Sequence, residues 1–447
     1  MTLVQPRRSF GRIEGLGSAS LLALTVAASG CGHARPVLTT RATTPVKSDS
    51  EIRDLDIAFY AQRAERDPSG AADLAHLAGL YLQRSRENGD PRDAVRAEEA
   101  ARKSIRNRQA HNDGAAQVLS SALLSQHRFT EALHVARAVR DRNPDAPGLR
   151  ASVAEIEMEL GQYDSARVAF ARLGEARNDL SVAPRLARWA EVRGHPDEAR
   201  LFIRNALAIA KREPSLPREQ LAWFWLRSGD IELRTGHLHA ADSMYKAGLS
   251  VHPNDYRVLA ALCHLAAVSG RWSDALRYGQ QAIAQNLDPA TLGILSDAAA
   301  ASGDTAQANE FARVLDVAVL TQPGAYHRAW SLFLLDHDRH VDTVYEKIRI
   351  ELKTRKDIYG YDLLAWALHK KGKEAEALDA VQIALSQGTQ DAQLFYHAGV
   401  IERAVGNTVA GDSLLAKAVA VNPSFRFPGS IAQSSVERCQ PLAISPK

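Results

Sequence analysis

Residues 222–253 read AWFWLRSGDIELRTGHLHAADSMYKAGLSVHP. Large apolar residues, small residues and a closing proline recur here in the order that two packed helices require. Trp225 leads the first helix and Tyr245 packs from the second, with Gly229 and Ala241 between them. Two helices approach to about 8–10 Å only where the residues at their crossing are small. Gly229 and Ala241 therefore mark the crossing. Glu232 and Gly248 complete the pattern, and Pro253 ends the unit, because proline lacks an N–H and fixes φ.

The same spacing runs along most of the chain. One series of small residues is Ala97, Ala132, Ala166, Ala199, Ala241, Ala275, Ala308, Thr343, Ala377 and Gly411. A second keeps step with it: Ala78, Ser120, Ala154, Ala187, Gly229, Cys263, Ser296, Ser331, Ala365 and Gly399. The interval stays close to 34 residues except where it widens to 42, as from Ala199 to Ala241, and one series falls in each helix of a pair. A generic Ala-rich bundle has no reason to hold such a phase.

On these residues the chain resembles the tetratricopeptide repeat family. The resemblance covers residues 71–423 and is strongest from Ala222 to Pro423. Several units lack the terminal proline, and Thr343 stands where alanine is usual. The resemblance implies an all-α fold, a right-handed superhelical solenoid of about ten helix pairs. It also implies partner binding rather than catalysis. Two interruptions read as surface insertions: Lys211–Pro217 (KREPSLP), and Ser85–Pro91 (SRENGDP), which reads as a longer turn.

Residues 1–30 read as a signal peptide. Arg7, Arg8 and Arg12 precede the short apolar stretch Leu16–Ala28, and Ala28-Ser29-Gly30 leads to Cys31. Small residues before a cysteine resemble a bacterial lipobox. The resemblance implies cleavage before Cys31 and its lipidation, palmitate included. General secretion fits Glu14 and the poor match after Arg7-Arg8 better than twin-arginine export. Residues 31–50 are rich in Thr, Ser, Pro and Arg and read as a flexible tether. A leading helix or cap is expected over 51–70 and a tail or cap over 424–447. Gly32 after the cysteine resembles outer-membrane sorting, so a lipid-anchored protein facing the periplasm is expected.

Charge adds little. The chain has 55 basic and 52 acidic residues, which leaves no electrostatic footprint for nucleic acid. Cys263 lies on the small-residue series and reads as a buried spacer. A disulfide to Cys439 is the less favoured alternative. No nucleotide, zinc-protease or hydrolase motif is present, so no cofactor and no enzymatic activity are expected. The densest polar cluster is Asp336-His337-Asp338-Arg339-His340. Its turn position favours a solvated surface over a metal site built on His337 and His340 with help from His327.

In the family resembled, the first helix of each unit lines the concave face. Phase then assigns a partner groove to Trp223, Arg234, Arg257, His264, Arg328, Tyr359, Asp362, Trp366, His369, Lys370, Tyr396, His397 and Arg403. Aromatic and cationic residues suit a protein or peptide partner with acidic residues or a free carboxylate. The sequence thus points to an envelope-anchored adaptor in the assembly of an envelope complex. The alternative is a structural or self-associating array whose groove is filled by its own tail.

Overall fold

A computed structural model describes residues 47–321 and 328–425, the side chains of Leu320 and Thr321 excepted. The signal peptide, Cys31, His327, Cys439 and the tail beyond Phe425 lie outside the described residues. Those described form α-helices and two short 3₁₀ turns, with no strand among them.

Helix α1 (Asp49–Arg66) begins with a capping box between Ser48 and Glu51 and takes in the last two residues read as tether. Ten pairs follow: α2 (Ala71–Asn88) with α3 (Pro91–Asn107), α4 (Asp113–Ser125) with α5 (Phe129–Arg142), and α6 (Pro147–Glu159) with α7 (Tyr163–Ala171). Next come α8 (Ala183–Val192) with α9 (Pro196–Ala210), α10 (Arg218–Arg234) with α11 (Leu238–Val251), and α12 (Tyr256–Val268) with α13 (Trp272–Gln285). The last four are α14 (Pro289–Ala301) with α15 (Thr305–Thr321), α16 (Arg328–Asp336) with α17 (Val341–Glu351), α18 (Ile358–Lys370) with α19 (Glu374–Ala384), and α20 (Ala392–Ala404) with α21 (Thr408–Val421). The fold is a helical solenoid.

The small residues sit at the crossings. In α5, α7, α9, α11, α13, α15, α19 and α21 the small residue is the fourth of its helix. Ala132, Ala166, Ala199, Ala241, Ala275 and Ala377 are fully buried. The Ser120 hydroxyl donates to the Ala132 carbonyl at 3.1 Å, and Ser296 does the same to Ala308 at 3.0 Å. At Gly229 an added Cβ would stand 2.4 Å from the Tyr245 ring. Cys263 is fully buried against Gly279, and burial pushes its thiol up to about 12.

Two expectations are corrected. Thr343 is exposed, and Val344, 1% exposed, takes the crossing position. The turn between α16 and α17 holds four residues, His337 to His340, where neighbouring units hold three, so the helix starts one residue late. Ser85–Pro91 is not a longer turn. The extra residues lengthen α2 and α3, and only Gly89 and Asp90 join them. Lys211–Pro217 is an exposed connection in which the Glu213 side chain accepts from the Ser215 N–H and hydroxyl.

Curvature closes the solenoid on itself. The Ile358 N–H donates to the Tyr163 hydroxyl oxygen at 2.8 Å, 195 residues away, and the Thr389 hydroxyl to the Val192 carbonyl, 197 residues away. The Asn422 side-chain amide donates to the Leu233 carbonyl at 3.2 Å, across 189 residues. One superhelical turn therefore takes between five and six repeats. The turns of earlier units dock on inter-unit loops of later ones. Gly161, Gly194 and Gly236 are all left-handed, and an added Cβ there would press on Lys356, Gly388 and Asn422 respectively. Gly372 and Gly406 also have a left-handed φ, and among the described residues nothing stands within 4 Å of an added Cβ there.

Candidate ligand site in the lumen

Closure turns the concave face into a partly open lumen. At one level, α8 brings Arg188, α10 brings Arg234, α16 brings Arg328 and the α17–α18 connection brings Arg355. These four arginines and Tyr359 line a cavity of about 260 Å³. Tyr359 stands beside two cations: the Arg328 and Arg188 guanidinium carbons lie 4.9 and 5.0 Å from its ring centroid. Cations held near an aromatic ring are attracted by its quadrupole. Local order here comes from Asp357, whose carboxylate caps α18 by accepting from the Tyr359 and Gly360 N–H groups.

The arginines are unequally partnered. Arg355 holds Glu159 at 3.0 Å, Asp357 at 2.8 Å and Glu351 at 3.2 Å. Arg234 pairs with Glu191, which also takes Arg227 at 3.0 Å. Arg328 holds Asp362 at 2.7 Å, while its Nε is buried without a partner. Arg188 reaches only the Tyr359 hydroxyl at 3.5 Å and Glu159 at 3.8 Å. Burial opposes the charge on Arg188, but Tyr359, Glu159 and Glu191 keep its pKa above the ordinary arginine value.

A larger cavity of about 670 Å³ continues along α10, α12, α14 and α16. Its wall includes Ala260, Ala261, Ile294, Ala329 and Phe333, and its rim carries Asp230, Asp288, Asp297, Asp336 and Asp391. Phe425, the last residue described, also lines it.

Behind this wall, Arg328 (α16), Asp362 (α18) and His397 (α20) form a chain across three successive first helices. His397 Nδ1 lies 2.8 Å from Asp362. Burial would raise the Asp362 pKa, yet His397 and Arg328 hold it at about 2. Trp366 stacks on His397 at 4.3 Å between centroids and donates its indole N–H to Asp336 at 2.8 Å.

Residues 123–189, from α4 into α8, match the tetratricopeptide repeat family model. The helix pairs on either side repeat the same crossing geometry at the same interval. The matched segment carries tetratricopeptide repeats. No curated protein matches the chain. Among solved structures it is similar to the type IV pilus biogenesis factor PilW, at 18% identity, 48% coverage of this chain and 96% of that one, with a TM-score of 0.40. It is similar to the APC/C hetero-tetramer Cut9-Hcn1 at 12% identity, 87% and 94% coverage and a TM-score of 0.33. A tetratricopeptide repeat protein from Parabacteroides merdae shares 17% identity over 58% and 97% of the chains, with a TM-score of 0.32. Tetratricopeptide arrays are generally non-catalytic scaffolds that bind protein partners on extended concave surfaces.

The array distributes the residues assigned to the groove unevenly. Arg234, His264, Arg328 and Tyr359 line the cavities. Asp362, Trp366 and His397 are 0%, 3% and 0% exposed and belong to the core, because the first helices of adjacent units, α16, α18 and α20, pack on one another there. Trp223 packs against the α8–α10 core beside Phe224. Arg257 is tied to Asp255 at 2.7 Å and donates to the Glu219 carbonyl. His369 faces Glu374, Lys370 holds Asp338, and Tyr396 packs between Trp366 and Phe425. Arg403 is exposed, with Asp412 at 3.5 Å. His337 turns to Asp297 at 3.1 Å and His340 to Asp316 at 3.3 Å, so the pair does not converge. Among the described residues no group of three metal-ligating side chains forms.

Sequence phase missed Arg188 and Arg355. Arg188 follows the crossing residue Ala187, and Arg355 precedes its helix. Their meeting depends on contacts 171 to 196 residues apart, which a 34-residue period does not encode.

Proposed function

We propose that the mature protein is an envelope-anchored adaptor that binds a short peptide segment of a protein partner inside its superhelix. The observation that carries this reading is the larger cavity, whose small apolar wall residues Ala260, Ala261 and Ala329 leave room no core residue fills. Its rim carries more carboxylates than arginines, so an apolar segment with basic flanks fits it better than the acidic peptide expected from sequence phase. The lipobox-like residues before Cys31 and the polar stretch to residue 50 support a lipid tether.

The test compares crosslinked partners of the wild-type protein in its native envelope with those of an Ala260→Gln, Ala329→Gln variant. Loss of one partner in the folded variant supports the reading, and identical captures from both sink it. A Cys31→Ser variant should leave the membrane fraction if the tether is lipidated.

One observation favours a second reading, a lumen occupied by the chain's own tail. Phe425 lines the cavity with its ring 5.8 Å from Tyr396. Removal of residues 426–447 should then raise affinity for added peptide. Loss of solubility instead would make the tail a cap.

A further inference from the structure

We propose that the smaller cavity binds a small free oxyanion, of phosphate or dicarboxylate size, held by Arg188, Arg328 and Arg234 beside Tyr359. Nothing in this inference depends on a protein partner or on the lipid tether.

Three features carry it. The first is unspent donors. A guanidinium offers five N–H groups, and Arg188 uses them on one contact at 3.5 Å and one ion pair at 3.8 Å. Arg328 leaves its buried Nε without an acceptor. A buried polar group without a partner is costly unless something supplies an acceptor. An oxyanion does so, and guanidinium groups bind oxyanions with paired, charge-assisted hydrogen bonds.

The second feature is that nearby carboxylates are already engaged. Asp362 is taken by His397 and Arg328, Glu191 by Arg227 and Arg234, and Glu159 by Arg355. Asp391 caps α20 by accepting the Gln393 and Leu394 N–H groups. Glu351 and Asp357, which also line the cavity, are held by Arg355, so Arg188 is the lining arginine with the weakest contacts.

The third is size and place. A volume of about 260 Å³ admits phosphate or a four-carbon dicarboxylate and excludes a folded element. The arginines come from α8 and α10 on one superhelical turn and from α16 on the next. A bound anion would therefore join the two turns, alongside the Arg355–Glu159 bridge, and clamp the pitch of the coil.

The experiment titrates purified protein with inorganic phosphate and, separately, with succinate, against sodium chloride at matched ionic strength. Calorimetry reads binding, and the thermal midpoint reads the clamp. Saturable heat with one anion, with a midpoint that rises in step, is the expected result and names the source. Arg188→Gln should weaken that affinity at least tenfold, while Arg313→Gln, at an exposed arginine of α15, leaves it unchanged. Arg188→Lys, which keeps charge without the fork, should fall between them and covers the case in which Arg188→Gln does not fold. Absence of saturable heat with both anions overturns the proposal, as does an equal response from wild type and Arg188→Gln.

Discussion

Arg355 and Glu159 form an ion pair at 3.0 Å although 196 residues separate them in the chain. Around it, the Lys356 N–H donates to the Leu160 carbonyl at 3.2 Å, and Phe129 lies under the Arg355 guanidinium at 5.0 Å. This seam is what makes the solenoid a closed coil rather than an open arc. An ordinary repeat array is stabilised by nearest neighbours alone. Here each unit near the seam also meets a unit one turn away.

The seam is testable with two glycines of equal backbone conformation. Gly194 has φ +74° and Gly372 φ +70°, so alanine at either carries a left-handed penalty of about 1–2 kcal/mol. Only at Gly194 would the new Cβ stand 2.2 Å from a carbonyl, that of Gly388. Gly194→Ala should therefore cost about 1–3 kcal/mol more than Gly372→Ala in a denaturant melt. Equal costs would mean that the turns do not touch in solution.

The crossing positions make a second test. Ala275 is fully buried between helices, so Ala275→Trp should destabilise the array by several kcal/mol through overpacking. In the unit with the longer turn, Val344→Ala should cost about 1–3 kcal/mol, while Thr343→Ala should stay within about 0.5 kcal/mol. The reverse order would put the crossing back at residue 343.

Asp362 joins Arg328 and His397 in the core. Asp362→Ala leaves Arg328 and His397 without their carboxylate and should cost about 3–5 kcal/mol. Asp338→Ala removes an exposed charge held by Lys370 and should cost no more than the left-handed penalty of about 1–2 kcal/mol at its φ of +52°. The Asp362 pKa is lowered to about 2 on folding. Its contribution is therefore full above the ordinary carboxylate value and is lost as pH falls toward 2. Acid titration of the wild type against Asp362→Asn should reveal that loss between about pH 4 and pH 2.

His337 predicts dependence of the opposite sign. Its hydrogen bond to Asp297 raises its pKa, against partial burial, with the charges of Asp297 and Asp336 adding to the shift. Stability from this contact is full below about pH 6.5 and declines as pH rises through the elevated folded value. The His337→Gln variant should show a flatter stability profile from about pH 6 to pH 8, and parallel profiles would remove the contact from the account.

The gap between sequence phase and site can be followed at single residues. Gly229 and Tyr245 were legible, because a helix crossing is a contact between residues 16 apart. Unit phase assigns Trp366 and His397 to a groove, yet they lie in the core, because they stack on each other across adjacent first helices and bond to Asp336 and Asp362. Arg188 carried no signal at all, since its neighbour Tyr359 is 171 residues away.

By itself the sequence determined the helix pairs, their number and most of their crossing residues, since each unit is built from contacts within about 34 residues, and small side chains there have no substitute. The curvature was decided only in the tertiary structure. It is the sum of small rotations between successive units, and no single residue states it. Because that sum brings units together after about 195 residues, the lumen and the meeting of Arg188 with Tyr359 arise from closure of the coil, whereas Asp362 and His397 meet as residues of adjacent units.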